Sequence, residues 1–178
     1  VMITMSTESA NRICEVINEE STIKNPENPI TTIKDGSVEF KNVNFKYAKR
    51  AEKNALSNVS LKIESGQTVG IIGGTGSAKS TLVSLIPRLY DATSGEVLVG
   101  NVNVKDYDIV ALRDAVSVVL QKNVLFSGTI KENLRWGNEN ATDEEIRHAC
   151  ELACASEFIE KFPDKYDTYI EQGGSNVS

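Results

Sequence analysis

A short glycine-rich run followed by a lysine and two hydroxyl residues most constrains how this chain can fold. The run occupies residues 73–81 and reads Gly-Gly-Thr-Gly-Ser-Ala-Lys-Ser-Thr. A nearly continuous apolar segment, residues 68–72, precedes it, and the segment that follows has apolar residues on one helical face, at Leu82, Leu85, Ile86 and Leu89. A strand, a glycine turn and a helix that opens with Lys-Ser-Thr form the P-loop pattern.

The P-loop has the groups that polyphosphate binding needs. Its glycines let the backbone turn tightly and bring N–H groups close to phosphate oxygens. Lys79 supplies a cation for the β- and γ-phosphates, the Ser80 hydroxyl is the expected Mg²⁺ ligand, and Thr81 is placed to reach the α-phosphate. A turn that only joins a strand to a helix would not require these groups. We therefore predict ATP and Mg²⁺ as ligands, held by Gly74, Thr75, Gly76, Ser77, Ala78, Lys79, Ser80 and Thr81.

Ala78 departs from the pattern, because the residue before the lysine is normally glycine. Alanine keeps the backbone N–H donor, so the anion site can persist. If the backbone is left-handed there, the methyl group costs about 1–2 kcal/mol. Such a cost would weaken nucleotide affinity by about one order of magnitude.

Composition limits the classes of protein to consider. The chain has 178 residues, 40% of them hydrophobic and 25% charged, which is the balance of a globular domain. Its formal net charge of −6 argues against a nucleic-acid partner, which would need a basic face. The sequence has no apolar stretch of the roughly 18–20 residues that span a bilayer and no signal-peptide pattern.

The three cysteines are an odd number with no disulfide-like spacing, which indicates a reducing compartment. Cys150 and Cys154 lie near His148, the sole histidine, but a zinc site would need more ligands on one face. We expect both cysteines, and Cys14, to serve core packing.

Hydrophobic spacing predicts the other elements. Residues 2–19 indicate a helix, and the proline-containing run 24–29 a linker. Residues 38–45, with a break at 41–42, and residues 56–63 have the alternation of an antiparallel sheet, which returns over residues 96–104. Residues 68–72 and 116–120 are predicted to be strands buried on both faces, as in a parallel sheet.

The segment after Gln121 has a helical pattern up to Phe162. Thr129 with Glu132 and Thr142 with Glu145 have capping-box spacing. Because the P-loop and Gln121 each follow a predicted parallel strand, both are expected at the carboxyl edge of that sheet.

With these motifs, the chain resembles the nucleotide-binding domain of ABC exporters, of the multidrug and lipid half-transporter type, over nearly its whole length. Tyr47 matches the aromatic residue that stacks on adenine in that family, and Gln121 matches the glutamine of the Q-loop, a Mg²⁺ ligand and γ-phosphate sensor. The resemblance also covers residues 133–137 and 164–174, the latter matching a loop that touches the membrane domain. Residues 176–178 resemble the opening of the signature motif.

The resemblance implies an α/β fold, with an incomplete RecA-like P-loop NTPase core, an antiparallel β-subdomain and an α-helical subdomain. It implies four regions: the cytoplasmic end of the last transmembrane helix (1–21), a linker (22–36), the ATP-binding core (37–122) and the helical subdomain (123–178). The Walker B aspartate, catalytic glutamate and switch histidine are expected outside this chain, which alone should not hydrolyse ATP.

The implied function is that of a transport ATPase motor in an exporter, with Lys79 and Gln121 as its catalytic residues here. The implied partners are its own transmembrane domain and a second nucleotide-binding domain, in a heterodimeric half-transporter. The implied location is the cytoplasmic face of the cell membrane. One alternative is a regulatory ATP-binding half of a transporter that hydrolyses little ATP. Ala78 and the sequence Asn-Val-Ser at residues 176–178 favour it. Another is a P-loop kinase or a soluble ABC protein, against which the first helix and linker argue.

Overall fold

The computed structural model describes residues 2–48 and 50–177, and for residues 2–6 it describes the backbone alone. The parts of the sequence interpretation that concern Val1 and Ser178 lie outside the described residues. The chain forms two compact units, one up to Ser117 and one from Val118.

The first unit is built on a four-stranded antiparallel sheet. Its strands are β1 (Val38–Phe45), β2 (Leu56–Ile63), β3 (Ser94–Val99) and β4 (Val102–Asn103), in the order β2-β1-β3-β4. The predicted antiparallel sheet is therefore confirmed. The break predicted in β1 is also confirmed, because the register shifts between Phe40 and Val43 and Asn42 has a φ of 48°.

Two short helices pack with this sheet. They are α2 (Lys79–Ser84), which carries the end of the P-loop, and α3 (Ile109–Ala115), which Asp108 caps by accepting a hydrogen bond from the Ala111 N–H. Side chains from the sheet and from both helical segments are fully buried together, namely Phe40, Val43, Leu85, Tyr107 and Leu112. Through Leu85, the segment that follows the P-loop packs against this core.

The prediction of two buried strands at residues 68–72 and 116–120 is wrong for this structure. Neither run belongs to a sheet in the described part of the chain. Ile72 is 99% exposed and Val119 is 91% exposed. An apolar run becomes a buried strand only when neighbouring strands satisfy its N–H and C=O groups, and the four strands of this sheet pair among themselves instead.

The chain begins with α1 (Met2–Ile17), close to the helix predicted at residues 2–19. From residue 7 onward its side chains are exposed, including Ile13, Val16 and Ile17. Within residues 2–48 and 50–177, no helix has both the length and the apolar character that crossing a membrane requires.

Most of the regular secondary structure in the described residues of the second unit is helical, and its three α-helices lie within the run up to Phe162 that has a helical pattern. It contains α4 (Ile130–Arg135), α5 (Asp143–Leu152) and α6 (Ser156–Ile159), with a small antiparallel pair, β5 (Gly128–Thr129) and β6 (Tyr169–Ile170). Both predicted capping boxes are present, from Thr129 to Glu132 and from Thr142 to Glu145. A separate apolar core holds this unit together, formed by Ile130, Ile146, Cys150, Ile159, Tyr166 and Ile170.

Only one cysteine serves the core as expected. Cys150 is buried, whereas Cys14 and Cys154 are exposed, so the core-packing prediction is wrong for those two. Cys154 lies just after the end of α5 and has a left-handed backbone with a φ of 56°, so the chain leaves the helix at this residue.

Candidate functional site

The backbone of the P-loop is left-handed at two positions. Gly76 has a φ of 81°, and Ala78, directly before α2, has φ 60° and ψ 25°. The left-handed conformation considered for Ala78 on sequence grounds is therefore present. Its methyl group also packs against the apolar core of the first unit, which offsets part of the cost of about 1–2 kcal/mol.

The Lys79 side chain folds back over the P-loop. Its Nζ donates hydrogen bonds to the carbonyl oxygens of Gly73 at 2.7 Å and Gly74 at 2.9 Å, and to the Ser77 Oγ at 3.2 Å. These three acceptors are neutral, so they leave the positive charge of the ammonium in place at the loop. Because these acceptors are neutral and exposed, an anionic phosphate oxygen could replace them at the ammonium group.

Ser80 and Thr81, adjacent in α2, have different surroundings. Ser80 is exposed, whereas Thr81 is only 6% exposed. The Thr81 hydroxyl oxygen lies 2.7 Å from the Tyr47 hydroxyl oxygen, which is a hydrogen bond. The structure thus brings together two residues that sequence reasoning had assigned separately, one to adenine and one to phosphate.

Tyr47 belongs to a cluster of three aromatic rings. Its ring meets Phe45 edge-on at 4.9 Å and Tyr90 edge-on at 5.3 Å between centroids, and it remains 62% exposed. A cavity of about 520 Å³ lies beside the cluster, lined by Tyr47, Tyr90, Thr93 and neighbouring residues. Sequence reasoning missed Tyr90, because no motif or periodicity links it to a residue so distant along the chain.

Gln121 lies in the second unit, in an exposed bend directly after residues 116–120. Downstream of it, the Asn133 side chain fixes the turn around Phe126: the Phe126 N–H donates to Asn133 Oδ1 at 2.9 Å, and Asn133 Nδ2 donates to the Phe126 carbonyl at 2.9 Å. The Phe126 ring stacks on the exposed Trp136 ring at 4.7 Å. The Q-loop assignment of Gln121 stays a prediction.

The segment 164–174 and the residues after it are ordered by local contacts. Tyr166 and Ile170 enter the core of the second unit. The Asn176 side chain, from the predicted opening of the signature motif, accepts a hydrogen bond from the Glu171 N–H and donates to the Tyr169 carbonyl, both at 2.8 Å.

The second unit also holds a charged network. Lys131 Nζ lies 3.0 Å from a carboxylate oxygen of Asp143 and 3.2 Å from one of Asp167, and Arg135 also binds Asp143 at 2.8 Å. Hydrogen bonds to the two carboxylates raise the pKa of Lys131, and its ammonium lowers the pKa of Asp143. Burial raises the pKa of the Cys150 thiol. The described residues contain no cluster of histidine, cysteine and carboxylate groups suited to a metal ion.

Comparison with known proteins gives a consistent picture. The family model described as ABC transporter matches residues 56–178. The chain is 48% identical over 143 residues to ABC transporter B family member 21 of Arabidopsis thaliana, covering 80% of this chain and 11% of that protein. It is 45% identical over 177 residues to a putative multidrug export ATP-binding/permease protein of Bacillus subtilis, covering 99% of this chain and 30% of that protein.

A solved structure agrees with these relatives. The chain superposes on a bacterial Atm1-family ABC exporter with ATP bound, with a TM-score of 0.89 and 29% identity over 99% of this chain and 31% of that one. The chain thus spans less than a third of the length of each of these three proteins.

Proposed function

Because the chain belongs to the ABC transporter family, we propose that it binds ATP with Mg²⁺ and, in the intact transporter, couples ATP binding and hydrolysis to export of a substrate. The α/β fold with its antiparallel sheet is that of an ABC exporter. The observation that carries the proposal is the hydrogen bond between Tyr47 and Thr81. It joins a ring suited to a nucleobase with a hydroxyl at the end of the P-loop.

The roles of the site residues follow from their chemistry. The exposed ring of Tyr47 stacks on adenine, a contact worth about 1–3 kcal/mol by analogy with base stacking in nucleic-acid complexes. Lys79 leaves its carbonyl partners for the β- and γ-phosphates. Backbone N–H groups around the left-handed turn hold the phosphate chain, with Gly74, Thr75, Gly76, Ser77 and Ala78 as its lining.

Ser80 fits the role of Mg²⁺ ligand. Its hydroxyl is the kind of hard oxygen donor that Mg²⁺ prefers, and it is exposed at the start of α2. Bound Mg²⁺ would neutralise charge on the phosphates. Gln121 is the proposed second ligand, and it would report the state of the γ-phosphate to the helical second unit.

The proposed partners are the transporter's own transmembrane domain and a second nucleotide-binding domain, at the cytoplasmic face of the cell membrane. In that assembly ATP closes the two nucleotide-binding domains and hydrolysis reopens them. The proposed regions stay those of the sequence, with residues 1–21 as the end of a transmembrane helix, 22–36 as linker, 37–122 as core and 123–178 as helical subdomain.

A second candidate is a regulatory ATP-binding half that binds nucleotide with little turnover and pairs with an unequal partner. The left-handed Ala78 favours it, because an alanine here strains the loop that must cradle phosphate. The two candidates differ in hydrolysis by the intact transporter, since a regulatory half leaves turnover to its partner's site.

Calorimetric titration of the full chain with Mg-ATP tests the proposal. Lys79→Ala is expected to remove binding, or to weaken it by two orders of magnitude or more, since a charge-assisted contact to phosphate is lost. Lys62→Ala is the matched control, because Lys62 lies exposed on β2 and pairs with Glu64. Unchanged ATP affinity in a folded Lys79→Ala chain would contradict the P-loop assignment.

A further inference from the structure

The linker (residues 22–36) has a fixed path along the start of α3. The Ile30 N–H donates to the Asp106 carbonyl, and the Asp108 N–H donates to the Ile30 carbonyl, both at 2.9 Å. These two hydrogen bonds form a parallel bridge between Ile30 and Tyr107. Tyr107 is fully buried and its hydroxyl donates to the Val99 carbonyl at 2.9 Å, so the bridge rests on the core.

Asn25 adds a side-chain fastening at the same place. Its Nδ2 donates to Asp108 Oδ2 at 2.6 Å, and its Oδ1 accepts from the Ile109 N–H at 2.9 Å. The other oxygen of Asp108 accepts from the Ala111 N–H at 2.9 Å, which caps α3. One carboxylate therefore both starts the helix and holds the linker.

Near its other end, α3 grips the segment that continues from the P-loop helix. Arg113 Nε donates to the Pro87 carbonyl at 3.3 Å, and its Nη2 donates to the Arg88 carbonyl at 2.9 Å. Arg88 is itself buried, at 5% exposed, has a φ of 52°, and its Nε pairs with Asp91 Oδ1 at 2.9 Å. The helix α2 ends at Ser84, and hydrogen-bonded turns follow it: the Ile86 N–H donates to the Val83 carbonyl at 3.1 Å, and the Arg88 N–H donates to the Leu85 carbonyl at 3.3 Å.

We propose that α3 acts as a strut between the linker and the P-loop helix, and that Asn25 and Arg113 are the positioning residues at its two ends. The inference rests on the proposed function and extends it to regulation of the same site. Only Leu85 and Ile86 separate the end of the six-residue helix α2 from the carbonyls that Arg113 holds. A shift of those carbonyls therefore moves α2, and with it Lys79 and the two hydroxyl residues after it. A displacement of the linker therefore alters the affinity for nucleotide. Because such coupling is reciprocal, bound nucleotide alters the position of the linker.

A merely structural role for Asn25 predicts a different result from a strut. If the fastening only stabilises the fold locally, its loss should loosen residues 25–30 and the start of α3. A strut also transmits the loss to residues 85–89, which Asn25 does not touch. The distinction requires a readout at the far end of α3.

Hydrogen exchange of the nucleotide-free full chain, combined with Mg-ATP titration, supplies that readout. Asn25→Asp places a second carboxylate against Asp108, and it is expected to raise exchange at residues 85–89 and to weaken Mg-ATP binding, each about threefold. The swap Asn25→Asp with Asp108→Asn can remake all three side-chain hydrogen bonds, so it should restore both values. Asn28→Asp, an exposed position in the same linker, is the control and should change neither.

Arg113→Ala tests the second fastening. It should raise exchange at residues 85–89 by itself, and Asn25→Asp should then have no further effect there, because the connection is already broken. An exchange change confined to residues 25–30 and 106–111, or a swap that leaves residues 85–89 loosened, would overturn the strut. If the wild-type chain binds no ATP, the proposed function fails, while the exchange results still decide whether α3 transmits the change.

Discussion

The hydroxyl oxygens of Tyr47 and Thr81 lie 2.7 Å apart, which joins the aromatic residue after β1 to the second hydroxyl residue of the P-loop helix. The hydrogen bond holds two parts of the proposed ATP site next to each other: the Tyr47 ring, proposed to bind the base, and the Thr81 hydroxyl, proposed to bind the α-phosphate. Tyr90 supports the arrangement, because its ring meets that of Tyr47 edge-on.

Tyr47 has two separable contributions, its ring and its hydroxyl. Tyr47→Ala should weaken ATP binding by about 5- to 150-fold through lost stacking, and it should leave pyrophosphate binding unchanged. Tyr47→Phe keeps the ring, so its ATP affinity should stay within about threefold of wild type. Calorimetry with both ligands checks this. Equal losses for ATP and pyrophosphate in Tyr47→Ala would remove Tyr47 from the base site.

The left-handed Ala78 makes an unusual stability prediction. The folded chain has a left-handed backbone at Ala78, which glycine adopts at no steric cost, so Ala78→Gly should raise the free energy of unfolding by about 1 kcal/mol. Loss of the packed methyl group reduces this gain. The same exchange inside α3, Ala111→Gly, should destabilise the chain by about 1 kcal/mol. Urea denaturation of the two variants measures the pair. Destabilisation by both would show that the methyl packing of Ala78 exceeds its strain.

Ser80 predicts how ATP binding depends on Mg²⁺. Removal of Mg²⁺ with EDTA should weaken ATP binding by wild type about tenfold, because the ion joins the phosphates to the protein. Ser80→Ala should bind Mg-ATP weakly and lose most of this dependence. Ser57→Ala, an exposed serine on β2, should behave as wild type in both conditions. A Ser80→Ala chain with full Mg²⁺ dependence would assign the metal to other ligands.

The charged network of the second unit should make its stability depend on acid pH. In the folded chain, the hydrogen bond from Lys131 lowers the pKa of Asp143. The charged carboxylate therefore contributes fully to folding stability above the pKa that Asp143 has in the unfolded chain. This contribution is lost below about pH 4, as the pH falls through the pKa of the folded chain. Asp143→Asn should therefore have a lower urea midpoint than wild type at pH 7. At pH 3 the midpoints of the two proteins should lie closer together.

Asp114→Asn provides the comparison for that experiment, because Asp114 is an exposed aspartate on α3 in the other unit. Urea midpoints at both pH values, followed by a signal from Trp136, report the second unit. A pH-independent difference between Asp143→Asn and wild type would mean that the network contributes nothing through the charge of Asp143.

Local patterns in the sequence determined several elements. Alternation over residues 38–45 and 56–63 specified antiparallel strands, since a half-buried strand needs one apolar face. The capping boxes at Thr129 and Thr142 specified two helix starts, because the hydrogen bonds that form them join residues three apart. The P-loop was recognisable for the same reason, as its backbone and its lysine are contiguous in the chain.

Contacts between distant residues were decided by the tertiary structure alone. The bond between Tyr47 and Thr81, the ring of Tyr90 and the grip of Arg113 on the segment after α2 have no signature in spacing. The exposed runs 68–72 and 116–120 show the same limit, because their apolar residues predict burial but cannot say which strands will pair with them. Sequence patterns report short-range geometry, whereas long-range pairing depends on which surfaces meet once the chain has folded.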